Sequence, residues 1–140
     1  MKKLFIALIG LVVLTAVLYG FSTFKGETTN TSTESLKWST DLNSSLEEAK
    51  NTDKLVFIDF YADWCPYCKE LDEKTFPDAR VQQKLSQNYV AVKVNTDNNP
   101  ELASKYKIYG LPTVVILNSD GQELKRYSGY ITSDELLNIL

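Results

Sequence analysis

Leu55-Val56-Phe57-Ile58-Asp59-Phe60-Tyr61-Ala62-Asp63-Trp64-Cys65-Pro66-Tyr67-Cys68 is the stretch that decides the fold. Its first seven residues are apolar at nearly every position, which suits a central strand covered on both faces. The strand feeds a pair of thiols with two residues between them, and the chain holds 2 cysteines and 0 histidines in 140 residues. A dithiol at a strand-to-helix junction can pass between reduced and disulfide forms. The missing histidines exclude cysteine–histidine and serine–histidine catalysis. They also leave too few ligands for a structural zinc site.

Outward from this stretch the chain alternates. Thr40 or Asp41 can cap a helix carrying Leu42, Leu46 and Ala49 on one side, closed by Asn51-Thr52-Asp53. After the cysteines a helix should run from near Cys65 past Leu71 until Phe76-Pro77-Asp78 breaks it, and Asp78 can cap a further piece bearing Val81 and Leu85. Tyr89 to Asn95 reads as a strand, Glu101 to Tyr106 as a short helix after Pro100, and Thr113 to Leu117 as a strand. Asn118-Ser119-Asp120-Gly121 predicts a hairpin pairing Glu123 to Tyr127 antiparallel with that strand. Thr132 and Glu135 form a capping box for a closing helix expected to bury Leu136, Leu137, Ile139 and Leu140. Strands separated by helices imply parallel pairs, and the hairpin adds an antiparallel edge. The expected class is α/β, a mixed sheet flanked by helices.

Ahead of this domain, Lys2 and Lys3 precede the uncharged apolar run Leu4 to Phe21. As a helix it would extend roughly 27 Å, near the hydrocarbon thickness of a bilayer. Residues 1–22 therefore read as a transmembrane signal-anchor, with a cleaved signal peptide as the alternative; Gly20-Phe21-Ser22 is a weak cleavage match. Residues 23–35, rich in Thr, Ser, Asn and Glu, read as a flexible linker, and 36–140 as the globular domain. Asn30-Thr31-Ser32 fits a glycosylation acceptor by pattern alone. Lys2 and Lys3 held inside would place the domain in the periplasm or extracytoplasmic space, or release it as a secreted protein if the segment is cleaved. A net charge of −3 without a basic run argues against nucleic acid as a partner.

At a helix start, unpaired N–H groups and the helix dipole favour a negative sulfur and lower a thiol pKa into a range of roughly 3.5–7.5. Cys65 is thus the expected nucleophile, and Cys68, one turn further in and expected to be more buried, the resolving thiol. A disulfide closing so short a loop would be a poor structural staple. Pro66 and Tyr67 lie between the sulfurs, and Trp64 offers a flat apolar surface beside them. Asp59, set among apolar neighbours, reads as a buried carboxylate with a raised pKa, a proton acceptor for Cys68, with Lys93 as its partner. Asp72, two helical turns beyond Cys65, would either raise the cysteine pKa and shuttle protons or stand solvated. Leu111-Pro112 precedes a strand; a cis bond there would leave the Leu111 backbone free to pair with an extended substrate.

Together these residues resemble the thioredoxin superfamily. The likeness runs through Asp59 to Lys69, Val92-Lys93-Val94-Asn95, Asp97, Asn99-Pro100, Tyr106, Gly110-Leu111-Pro112-Thr113, Asp120-Gly121 and Gly129, and covers Leu36 to Leu140. It implies a thioredoxin fold, a cis-Pro112, and Asp59 with Lys93 as buried acid and partner. Tyr61-Ala62-Asp63-Trp64-Cys65, Cys68-Lys69-Glu70-Leu71-Asp72 and Lys74-Thr75-Phe76 are similar to the extracytoplasmic C-terminal domain of DsbD-type electron-conducting reductases. That likeness implies a tuning role for Asp72. It also implies disulfide-containing extracytoplasmic proteins as substrates. Because this chain carries at most one candidate span, electrons would come from a separate DsbD-type membrane protein. No cofactor is expected beyond the redox-active Cys65–Cys68 disulfide, and no metal. Cys-Pro-Tyr-Cys is similar to glutaredoxin, but no Gly-Gly pair follows to hold glutathione. The alternatives are a disulfide donor to secreted proteins and a binding module with a static disulfide.

Overall fold

A computed structural model describes residues 36–140; the candidate anchor, linker and glycosylation acceptor lie outside the described residues. The order is β1 (Trp38–Ser39), α1 (Leu42–Thr52), β2 (Leu55–Tyr61), α2 (Pro66–Glu70) continuing as a π-helical turn (Leu71–Thr75), α3 (Ala79–Asn88), β3 (Tyr89–Asn95), α4 (Pro100–Lys105), β4 (Thr113–Leu117), β5 (Glu123–Ser128) and α5 (Ser133–Ile139). The strands form one sheet in the order β1-β3-β2-β4-β5.

Alternation along the strands divides the core between two faces. Val56, Ile58 and Phe60 of β2 join Val90, Val92 and Val94 of β3 under α1, which contributes Leu42 and Ala49. On the other face Phe57 packs with Leu71 of the π turn, Phe76 just after it, Val81 and Leu85 of α3 and Leu136 of α5. This double cover explains why β2 is apolar throughout. It also makes Asp59, on the Phe57 face and wholly buried, an exception that the site must account for.

Local chemistry sets the element ends. Asp41 accepts the N–H groups of Asn43 at 2.8 Å and Ser44 at 3.1 Å, a cap that contributes about 1 kcal/mol. The Asn118 Oδ1 accepts from the N–H groups of Asp120 and Gln122 at the hairpin, where Gly121 takes φ 79°. The Thr132–Glu135 capping box opens α5.

Three expectations are corrected. The edge strand β1 is an addition: two residues are too short to show a period, yet Trp38 and Ser39 pair parallel with Ala91 and Val92. The pairing of β4 with β2 is antiparallel, not parallel. The chain re-enters the sheet at the end it left, Asn95 lying opposite Tyr61 and Thr113 opposite Phe60, so β4 runs back along β2. In α5 only Leu136 is fully buried; Leu137, Ile139 and Leu140 are half-buried, because the helix closes one edge of the domain.

Candidate active site

The cysteines stand where β2 gives way to α2. Cys65 is the N-cap residue of α2, in extended conformation, and Pro66 takes the first helical position, where a missing N–H leaves no bond unmade. Cys65 and Cys68 are joined as a disulfide with their Cα atoms 5.3 Å apart. The two do not differ in burial as expected: each residue is 2% exposed. Their asymmetry lies in hydrogen bonding, since the Cys68 N–H donates to Cys65 Sγ at 3.2 Å. That donor is one of the unpaired groups of a helix start, and it favours negative charge on Cys65.

Around the buried sulfurs the surface is apolar and open. Trp64 is 69% and Tyr67 58% exposed, and Pro66 is exposed between the cysteines. The Trp64 Nε1–H donates to Asp97 at 3.0 Å, which ties this loop to the one after β3. Asn95 reinforces the tie by donating to Asp63 at 3.2 Å. Leu111 packs on the cluster of Ala62, Cys65 and Cys68. The Leu111–Pro112 peptide is cis, and Pro112 is buried. Among the described residues the Leu111 main chain makes no hydrogen bond.

The strand that leads to the disulfide also carries one member of a charged cluster. Asp59 on β2 and Lys93 on β3 are directly opposite in the parallel register, and Lys93 Nζ donates to Asp59 Oδ2 at 2.9 Å. The same ammonium donates to Asp72 Oδ1 at 2.5 Å. Asp72 lies on the π turn, which replaces the continuous helix face expected from the sequence. Lys93 Nζ also lies 5.1 Å from the ring centre of Trp38, 4.9 Å from Tyr61 and 5.2 Å from Phe76. Three aromatic faces stabilise a cation by their quadrupoles. Burial pulls the Lys93 ammonium down, but Asp59 and Asp72 outweigh it and hold its pKa above the ordinary lysine value. Burial pushes the Asp59 carboxyl above the usual carboxylate range; Lys93 opposes this rise and Asp72 adds to it. Among the described residues Asp59 Oδ1 has no hydrogen-bond partner, which leaves one oxygen of a buried carboxylate open to accept a proton.

Every residue singled out in the sequence is thus placed. Trp64, Pro66 and Tyr67 are exposed beside the buried Cys65 and Cys68, Leu111 packs on the cysteines with the buried Pro112 next to it, and Asp59, Lys93 and Asp72 are joined in a charged cluster. Sequence reasoning missed Trp38 and Phe76 around Lys93 and Asp97 beneath Trp64. The lone Trp38 at the head of the domain was the one available signal for the first of these.

The comparisons with known proteins agree with this geometry. Residues 42–140 match the family model described as a thioredoxin-like domain. The chain belongs to the thioredoxin-like family. Within this family, 92 residues are 40% identical to the thiol:disulfide interchange protein DsbD of Actinobacillus pleuropneumoniae serotype 5b, covering 62% of this chain and 16% of that protein. Over 86 residues the identity with DsbD of Salmonella typhimurium is 43%, covering 59% of this chain and 15% of the relative. The match thus spans only a small part of the length of these curated relatives. Among solved structures, the oxidised C-terminal domain of Neisseria meningitidis DsbD superposes with a TM-score of 0.61 at 28% identity, covering 74% of this chain and 96% of that domain. A thioredoxin from Thermus thermophilus superposes at 0.68, also with 28% identity, covering 75% and 84%. This thioredoxin-like domain is therefore DsbD-like, and its cysteine pair supports thiol–disulfide oxidoreductase chemistry. Among the described residues no group of three or more Cys, Asp or Glu could hold a metal ion, and no helix is long and apolar enough to cross a membrane.

Proposed function

We propose that this chain is a membrane-anchored, extracytoplasmic thiol–disulfide oxidoreductase that works as a protein-disulfide reductase or electron relay. The observation that carries it is the Cys65–Cys68 bridge at the start of α2, with a donor N–H on Cys65 Sγ and an apolar open face around it. In the reduced enzyme the Cys65 thiolate attacks one sulfur of a substrate disulfide. A Cys65–substrate disulfide forms, and the other substrate sulfur leaves as a thiolate and takes a proton. Asp59 accepts the Cys68 proton through its unpaired oxygen. The Cys68 thiolate then attacks Cys65 Sγ, the Cys65–Cys68 bond forms, and the second substrate thiolate leaves. Two electrons have passed to the substrate.

Each remaining residue has a role in this cycle. Trp64, Pro66 and Tyr67 provide the contact face, and the Leu111 main chain beside Pro112 receives an extended substrate segment by strand addition. Lys93 holds Asp59 and Asp72 together and sets the charge of the cluster. The spent disulfide is reopened by a dithiol donor, which becomes oxidised in turn. The DsbD likeness supports a membrane protein as that donor and disulfide-bearing extracytoplasmic proteins as substrates. Residues 1–22 supply the anchor and 23–35 the tether, placing the domain at 36–140 outside the cytoplasm.

Trapping tests this reading. Cys68→Ser leaves the attacking thiol and removes the resolving one, so full-length protein exposed to extracytoplasmic substrates should accumulate mixed disulfides on Cys65. Non-reducing gels should show dithiothreitol-sensitive adducts in this variant, while Cys65→Ser shows none. Equal adducts in both variants would overturn the assignment.

A further inference from the structure

Arg126 lies on the edge strand β5, outside all the residues given a part in the chemistry above. Its guanidinium makes four hydrogen bonds. Nη2 donates to the Tyr106 carbonyl at 2.5 Å and Nη1 to the Lys107 carbonyl at 3.1 Å. Nε and Nη2 also donate to the Glu123 carboxylate at 2.8 and 2.6 Å. The two carbonyls belong to the turn that ends α4. There the Lys107 N–H donates to Ser104 O at 3.0 Å and the Ile108 N–H to Ala103 O at 2.8 Å, a Schellman arrangement. Such a turn needs a left-handed residue and ordinarily uses glycine; here Lys107 takes φ 51°, with its Cβ crowded. The turn therefore carries a steric load, and a planar fork of donors reaches across from β5 to hold it.

The clamped turn is joined to the site by the chain itself. Ile108-Tyr109-Gly110 leads directly into Leu111-Pro112, the proposed substrate shelf. The far end of the loop is held by Thr113 Oγ1 donating to Gly110 O and by the Gly129 N–H donating to Pro112 O, both at 2.8 Å. Tyr109, between the two anchors, is 92% exposed. The near anchor is Arg126.

We propose that Arg126, braced by Glu123, is a positioning residue that presets the Leu111 main chain beside Cys65 for an extended protein substrate. The inference rests on the thiol–disulfide exchange reading. Its signature is a change in substrate affinity without a change in the cysteine chemistry.

The test is steady-state reduction of insulin by the full chain, with dithiothreitol as electron source, in Arg126→Gln and Glu123→Gln. Arg126→Gln should raise KM for insulin about 5–10-fold with kcat within about twofold, because the shelf must be ordered on binding. The Cys65–Cys68 equilibrium with glutathione should not move. Glu123→Gln, which leaves the arginine but unbraces it, should raise KM by a smaller factor, and it carries the test alone if Arg126→Gln does not fold. An unchanged KM overturns the assignment, as does a kcat loss at constant KM or a shifted glutathione equilibrium. Wild-type protein that fails to reduce insulin would instead bring down the oxidoreductase reading, and this inference with it.

Discussion

Cys65→Ser should lower protein-disulfide reduction by at least about 10³-fold, because a serine hydroxyl is neither ionised at neutral pH nor able to form the mixed disulfide. The variant should remain folded. The lost bridge closes a loop with a sequence separation of 3, and a link that short contributes at most about 2 kcal/mol. The core on both sheet faces does not depend on it: Phe57, Leu71 and Leu136 on one side and Ile58, Val92 and Leu117 on the other are fully buried among other apolar side chains. Insulin reduction with dithiothreitol as donor checks the loss, and circular dichroism checks the fold. A variant that turns over within tenfold of wild type would remove Cys65 from the chemistry.

Lys93→Met should destabilise the domain by about 3–5 kcal/mol at pH 7–8, since it leaves a buried carboxylate without its cation. In the wild type the Asp59 pKa is raised on folding, so its ionisation opposes stability as pH climbs above the ordinary carboxylate range. The Lys93 pKa is raised as well, so its contribution is fully present below the ordinary lysine pKa and is lost as pH rises through its folded value. Removing Lys93 removes the favourable half and pushes Asp59 up further. Asp72, the other partner of Lys93, then adds repulsion to Asp59 rather than a shared counter-ion. The deficit should shrink as pH falls, because the raised Asp59 pKa favours the protonated carboxyl, which needs no cation. Urea unfolding of wild type and variant at pH 4, 6 and 8 measures this. A deficit that is flat with pH would show that Lys93 acts through packing on Trp38, Tyr61 and Phe76, not through charge.

Much of this architecture was legible because the sequence and the fold share their periods. The apolar run at Leu55 to Tyr61, the strand at Tyr89 to Asn95, the hairpin at Asn118 to Gly121 and the Thr132–Glu135 box each carry a local signal that tertiary packing did not override. Asp59 was legible for the opposite reason, as a charge inside an apolar strand. What escaped was set by partners distant in sequence. Trp38 becomes a strand residue by pairing with β3, and β4 runs antiparallel to β2 because the chain re-enters the sheet at the end it left. The π turn at Leu71–Thr75 has no sequence signature of its own, and it carries Asp72, which meets Lys93. Arg126 carries no sequence signal of its own, and its two carbonyl partners near residue 107 are brought to it by the fold.

The central claim is that Cys65 and Cys68 form a reducing couple and not a staple. Equilibrating the full chain with glutathione or dithiothreitol buffers and titrating the Cys65–Cys68 bridge measures it directly. The expected potential is about −270 mV, the range of reducing thioredoxins; a value of about −120 mV, that of a strong oxidant, or a bridge still closed below about −300 mV would overturn the assignment.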